Sequence, residues 1–214
     1  WGYRDVEVER LLRPKCISIF DLAGGESQVM AYVADKTLRE IWARATVGKL
    51  PHPVFVVLEE AHNLVPGGYR QATRASRIIN TIASEGRKFR VYLILITQRP
   101  SRISEETLSQ CGSQVIMQLT NPHDQEAVAR AAETISRGLL ADLPGLNRGE
   151  AVILGQLTRV PVMVKVGRRL SAEGGSDVDL VEELERAREE AGVLKLAESA
   201  RSKGPSPPVQ EKWF

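Results

Sequence analysis

The sequence predicts an α/β protein built as a doubly wound sheet, and three observations carry that reading. Short β-branched runs alternate with longer stretches of helical length and spacing, in the order strand, helix, strand. Several of the runs are apolar at every position, as parallel strands covered on both faces are. The 214 residues, 43% apolar and 26% charged, are enough to bury a core and exclude wholesale disorder.

Taken in order, Ile17–Phe20 reads as the first strand and Gln28–Thr46 as the helix that follows. Pro51 and Pro53 bracket the approach to a second strand, Val54–Leu58, and Pro66-Gly67-Gly68 forces a loop after it. A helix over Gln71–Lys88 feeds a third strand, Val91–Ile96, and Gln114–Gln118 reads as a fourth. Asn121-Pro122 starts a helix over His123–Glu133, with proline near the first helical position. Ala151–Leu154 is another buried strand. Val160–Val166 alternates polar and apolar residues, the pattern of an edge or antiparallel strand. Gly174-Gly175-Ser176 then separates the sheet from an acidic helix, Asp177–Ala191, capped by Ser176 or Asp177. The stretch Arg201–Phe214 holds three prolines and a glycine and is expected to have no regular structure.

The overall charge of +2 names no partner, but it conceals an asymmetry. Arg70 to Arg102 carries eight basic residues and one acid, whereas Glu173 to Glu198 carries nine acids and three bases. The middle of the chain is suited to polyanions and the end is not, unless both are ordinary solvated faces. Two cysteines, Cys16 and Cys111, exclude a disulfide-rich secreted scaffold and suit a reducing, cytoplasmic setting. No apolar run is long enough to span a bilayer, and no charged leader opens the chain. The start at Trp1 rather than Met is read as that of a fragment.

Candidate chemistry sits at strand ends. Val54–Leu58 ends in Glu59-Glu60, and in an open α/β sheet the C-terminal strand tips are where ligands bind. In a nucleotide triphosphatase one acid there orients Mg²⁺ through water and a second polarises the attacking water. A solvated glutamate pair is the plain alternative. His62 follows, but no second His or Cys stands at ligand spacing, so zinc is not expected. One strand later the apolar run ends in Thr97-Gln98, whose polar groups fall beside the same pocket if the two strands are neighbours. Arg87 and Lys88 lie where the helix before that strand ends. Glycine easing the helix exit and cations favoured by the helix dipole explain them locally. That end of the helix lies opposite the ligand end of the sheet. Arg87 is therefore badly placed for its own pocket and suited to a neighbour's.

These residues resemble a known family. Ile17-Ser18-Ile19-Phe20-Asp21-Leu22, Leu58-Glu59-Glu60-Ala61-His62-Asn63, Ser84-Glu85-Gly86-Arg87-Lys88-Phe89 and Thr97-Gln98-Arg99-Pro100-Ser101-Arg102 are similar, in order, to the C-terminal half of HerA. HerA belongs to the HerA–FtsK group of RecA-like ATPases. Leu108-Ser109-Gln110-Cys111 and Asp142-Leu143-Pro144-Gly145-Leu146 fit the same pattern, so the resemblance covers roughly positions 16 to 168. It implies a RecA-like P-loop NTPase core with Glu60 as the catalytic Walker B glutamate. Glu59 stands where many relatives have Asp and is implied to serve Mg²⁺ through water. Thr97 and Gln98 are implied to face ATP, with Gln98 sensing the γ-phosphate. Arg87, or Lys88 in competition, is implied to be an arginine finger given to the adjacent subunit.

The resemblance also implies an organisation. Residues 1–13 end an inserted helical bundle, 14–170 form the second half of the ATPase core, and 171–214 form a C-terminal helix and brace. No Gly-x-x-x-x-Gly-Lys-Ser/Thr occurs, so the phosphate loop is expected upstream and this segment alone is expected to be inactive. The intact protein is expected to be a homo-hexameric, ATP-driven translocase of double-stranded DNA. It would act in end resection with a NurA-type nuclease, away from any membrane. Arg70, Arg74 and Arg77 are the residues expected on DNA phosphates, without base reading. The alternatives are a degenerate binding module, or a related packaging or conjugation ATPase.

Overall fold

The computed structural model describes residues 8–68, 71–132, 135–171, 181 and 183–192. The chain divides into two compact units, one up to Gly167 and one from Arg168 onward. In the second, residues 183–192 are helical and exposed. The expected brace after 192, including the tail at 205–214, lies outside the described residues, as do residues 1–7 and Arg70.

In the first unit, α1 (Val8–Leu11) buries Val8 completely and pairs Glu9 with Arg44 of α2 (Ser27–Thr46). Ala31, Asp35, Leu38, Ile41 and Ala45 form one buried stripe along α2, at the spacing that faces an α-helix to its core. β1 (Val54–Leu58) and β2 (Val91–Leu95) pair in parallel, from Val54 opposite Val91 to Leu58 opposite Leu95. The crossover between them is α3 (Ser76–Glu85), which buries Ile78, Ile79 and Ile82. These side chains, with Leu58, Val65 and Val91, make the core that seats α2 and α3 on one face of the strand pair. Each fully buried aliphatic there contributes about 1.5–3 kcal/mol.

A second sheet orders β3 (Ser113–Ile116), β4 (Glu150–Gly155) and β5 (Val162–Lys165) side by side, both pairings antiparallel. The alternation in Val160–Val166 anticipated this for β5. Between β3 and β4 run α5 (Pro122–Ala131), capped by Asn121 through its bond from the His123 amide, and α6 (Arg137–Asp142). Neither α6 nor α4 (Glu105–Ser109) was anticipated, both being too short for a periodic signal.

Three expectations need correction. Ile17–Phe20 is not a strand: it has no ladder, and Ile17 and Ile19 are 90% and 84% exposed. A strand needs a paired edge, and among the described residues this run pairs with none. The strands form two sheets rather than one, and β1 and β2 are covered on a single face. Phe55, Val57, Ile94 and Ile96 stay exposed on the other, with Phe55 stacked on Tyr92 at 5.0 Å. Finally, α3 begins at Ser76 instead of Gln71. The Thr73 and Ser76 hydroxyls both donate to the Leu64 carbonyl, and the Thr73 amide donates to Ser76 Oγ at 2.9 Å, tying this stretch to the loop after β1. Among the described residues no helix is long and apolar enough to cross a membrane.

Candidate functional site

The parallel ladder continues past the ends of β1 and β2. The Ile96 amide donates to the Leu58 carbonyl and the Ala61 amide to the Ile96 carbonyl, both at 2.9 Å. Glu59-Glu60 and Thr97-Gln98 are thereby carried to the same end of the strand pair. Glu59 is exposed. Glu60 is held in the left-handed region, at φ 47° and ψ 45°, which turns the chain into a 3₁₀ turn over Ala61–Asn63 and drops Ala61 into the core. A glutamate in that conformation costs about 1–2 kcal/mol, and such strain recurs at functional sites.

The Glu60 carboxylate is half in and half out. Its side chain is 42% exposed, yet Oε2 is buried with no hydrogen-bond partner among the described residues. His62 Nδ1 stands 3.2 Å from Oε2, within ion-pair range but without hydrogen-bond alignment. The same Nδ1 lies 3.1 Å from Thr97 Oγ1, which also accepts from the Arg99 amide at 3.0 Å. The two strand ends are therefore joined through His62.

The loops beyond are stitched together as well. Pro66 bridges to Ile103, the Gly67 amide donates to the Arg102 carbonyl at 2.8 Å, and the Ser104 amide to the Val65 carbonyl at 3.0 Å. Gly67 is required by this closeness, since a Cβ there would come within 2.5 Å of the Ile103 oxygen. Gln98 is exposed and borders an open polar concavity of about 730 Å³, with Arg99, Arg102, Asn121, His123 and Arg130 on its walls. Glu59 and Glu60 do not line it.

Arg87 and Lys88 are exposed on the 3₁₀ turn Gly86–Phe89, which precedes Val91 and so lies at the start of β2. At about 3.3 Å per residue, the length of the strand separates them from Glu60. The sequence assigned Gly86 to easing the helix exit, but its φ of −52° is ordinary helix. Its role is close approach: a Cβ would overlap the Val91 carbonyl oxygen. The left-handed exit falls instead on Arg90, at φ 62°, whose guanidinium donates to the Leu50 carbonyl at 2.7 Å.

Of the expected DNA contacts, Arg77 is exposed on α3. Arg74 is engaged within the fold. It donates to Asp35 Oδ2 at 3.0 Å and lies 5.1 Å over the Tyr32 ring, while Arg39 takes Oδ1 at 2.7 Å. Asp35 is 3% exposed, so this triad links α2 to the start of α3. Sequence reading missed both the triad and the His62–Thr97 contact. Thr97 follows β2 by two residues and His62 follows β1 by four, so parallel register was the signal available for the latter. Among the described residues no cluster of three or more His, Cys, Asp or Glu could hold a metal ion.

No family model matches the chain. Curated relatives do. The chain is 44% identical over 117 residues to the DNA double-strand break repair helicase HerA of Pyrococcus furiosus, covering 55% of this chain and 21% of that protein. To HerA of Sulfurisphaera tokodaii it is 33% identical over 192 residues, 85% of this chain and 38% of the relative. To HerA of Sulfolobus acidocaldarius it is 36% identical over 141 residues, 66% and 28%. The chain thus spans between about a fifth and two fifths of the length of these relatives. Among solved structures, the genome packaging NTPase of Sulfolobus turreted icosahedral virus 2 shares the fold. Its complex with AMPPCP gives a TM-score of 0.56 at 13% identity over 78% of this chain and 75% of that one, and its complex with ATP-gammaS 0.53 at 12%, over 78% and 74%. Over 55–85% of its length the chain is thus similar to one segment of the HerA helicases, and it shares its fold with the packaging NTPase.

Proposed function

We propose that the intact protein is an ATP-hydrolysing, ring-shaped translocase of double-stranded DNA, and that this segment supplies the hydrolytic half of its nucleotide site. The observation that carries the reading is the meeting of Glu59-Glu60 with Thr97-Gln98 at one end of a parallel strand pair, with Glu60 strained and one of its oxygens unpartnered. In this reading Glu60 takes the proton from the water that attacks the γ-phosphate, and Gln98 hydrogen-bonds the γ-phosphate or that water. Glu59 would orient water around a magnesium ion, which neutralises phosphate charge when bound. An ion held mainly by phosphates and water needs one or two protein carboxylates, and the exposed Glu59 beside Glu60 fits that need.

Arg87 acts across a subunit boundary in this account, since its own Glu60 is at the far end of the strands. The bare face carrying Phe55, Val57, Ile94 and Ile96, together with the exposed Ile17 and Ile19, is covered by the part of the protein outside this segment, which also brings the phosphate-binding loop. The hexamer, the role in end resection with a NurA-type nuclease, and cytoplasmic residence belong to the same proposal. The names of the relatives support its helicase and DNA-repair part.

The test is ATP hydrolysis by the intact protein with and without blunt double-stranded DNA, alongside Glu60→Gln. The substitution keeps shape and removes the base, so the rate is expected to fall about 10²–10⁴-fold with ATP binding retained. Parental turnover by Glu60→Gln would end the Walker B assignment.

A further inference from the structure

His62 is a half-buried polar group at the strand ends that the hydrolytic reading leaves without a task. Its side chain is 12% exposed, and a single ring atom, Nδ1, reaches both Thr97 Oγ1 at 3.1 Å and Glu60 Oε2 at 3.2 Å. A nitrogen lone pair facing a carboxylate oxygen at that distance would be repulsive, so the proton belongs on Nδ1. One N–H can be well aligned on only one of two acceptors. Here it serves Thr97, and Glu60 Oε2 is the buried atom left without a hydrogen bond.

We propose that His62 is a positioning residue with two settings, directing its Nδ1–H either to Thr97 or to the Glu60 carboxylate. The inference rests on Glu60 being the general base. In the setting seen here the carboxylate is not oriented by a donor, which is a resting arrangement. A small turn of the imidazole redirects its Nδ1–H to Oε2 as a hydrogen bond, the proton staying on His62, and fixes the other oxygen towards solvent, where an attacking water would stand. Thr97 adjoins Gln98, so a turn of the Thr97 side chain when nucleotide engages Gln98 loosens the His62–Thr97 bond and releases the N–H to Glu60. The stitched loops at Pro66–Ile103 and Gly67–Arg102 hold both strand ends in one frame. The exchange therefore needs only rotation of side chains. Sensing at Gln98 and activation at Glu60 become one event.

The experiment compares His62→Ala, His62→Asn, His62→Gln and Glu60→Gln in the intact protein, reading kcat and KM for ATP, ATPγS affinity and Tm. Asn places an amide nitrogen near the position of Nδ1, whereas Gln places it near Nε2. Loss of a hydrogen bond to a charged group predicts that His62→Ala lowers kcat about 10- to 100-fold. KM and ATPγS affinity should stay within about twofold, because the group acts on the base rather than on binding. His62→Asn should recover most of the rate and His62→Gln little of it. Thr97→Val should couple to His62→Ala non-additively in a double-mutant cycle, since the two share one proton. If Glu60→Gln abolishes hydrolysis while His62→Ala keeps parental kcat, or while Asn and Gln behave alike, the positioning role is wrong and the hydrolytic reading stands. A kcat loss that merely follows Tm across all three His62 variants would likewise make His62 a packing residue. If Glu60→Gln hydrolyses ATP normally, the underlying reading itself fails.

Discussion

Gly86→Ala sets two effects of opposite sign against each other. With φ −52° and ψ −37°, residue 86 is helical, so local propensity alone favours alanine by about 1 kcal/mol. Packing opposes it. The added Cβ would overlap the Val91 carbonyl oxygen and stand 2.9 Å from Ile82 Cγ2. Both neighbours belong to residues that are at most 2% exposed, and the oxygen is backbone of β2, which cannot rotate away. Overpacking of this kind costs about 1–3 kcal/mol, towards the upper end where backbone must move. The expected net effect is destabilisation of about 1–2 kcal/mol. Relief comes from shifting the Gly86–Phe89 turn, which carries Arg87 and Lys88. The assay is thermal unfolding of the intact protein together with ATP turnover, and both should fall. A variant as stable as the parent or more so, with parental turnover, would refute the claim that close approach rather than backbone freedom requires this glycine.

Other expectations follow from the same geometry. Asp35→Ala removes two charge-assisted bonds, but Arg39 and Arg74 are 52% and 66% exposed, so the loss should be only about 1–2 kcal/mol, read from the shift in denaturation midpoint. Arg77→Gln should lower the slope of log affinity against log salt for DNA by about one, whereas Arg74→Gln should move Tm more than the slope. The reverse pattern would reassign the two. Burial pushes the Cys111 thiol up from its usual range and Cys16 is exposed, so iodoacetamide near pH 8 should label Cys16 first, as peptide mapping would show.

The parallel pair β1 and β2 was legible because its apolar runs are bounded by Pro53 or Arg90 on one side and by paired polar residues on the other. The same boundaries brought Glu59, Glu60, Thr97 and Gln98 to notice. What escaped is physical. The Ile17–Phe20 run has the composition of a strand, but composition cannot supply the paired edge a strand needs, and here its isoleucines face solvent. The start of α3 was misread because hydroxyl bonds from Thr73 and Ser76 to Leu64 compete with the helix, a contact between distant residues. The αL turn at Glu60 and the reach of His62 to Thr97, 35 residues away, depend on register that only the folded ladder fixes. Arg74 looked like a phosphate contact by charge and position, and only the fold reveals the buried Asp35 that takes it.

The central claim, that Glu60 and Arg87 complete one site from two subunits, is tested most directly by mixing. Intact Glu60→Gln and Arg87→Ala proteins, each inactive alone, are combined in equal amounts, allowed to exchange subunits, and assayed for ATP turnover. In a head-to-tail ring, about one interface in four then joins an intact glutamate to an intact arginine. A finger contributes about 10³-fold or more, so such interfaces should raise turnover far above either variant. Recovery to a substantial fraction of parental activity is expected. Turnover in the mixture no higher than the average of the two separate variants, despite demonstrated exchange, would contradict it.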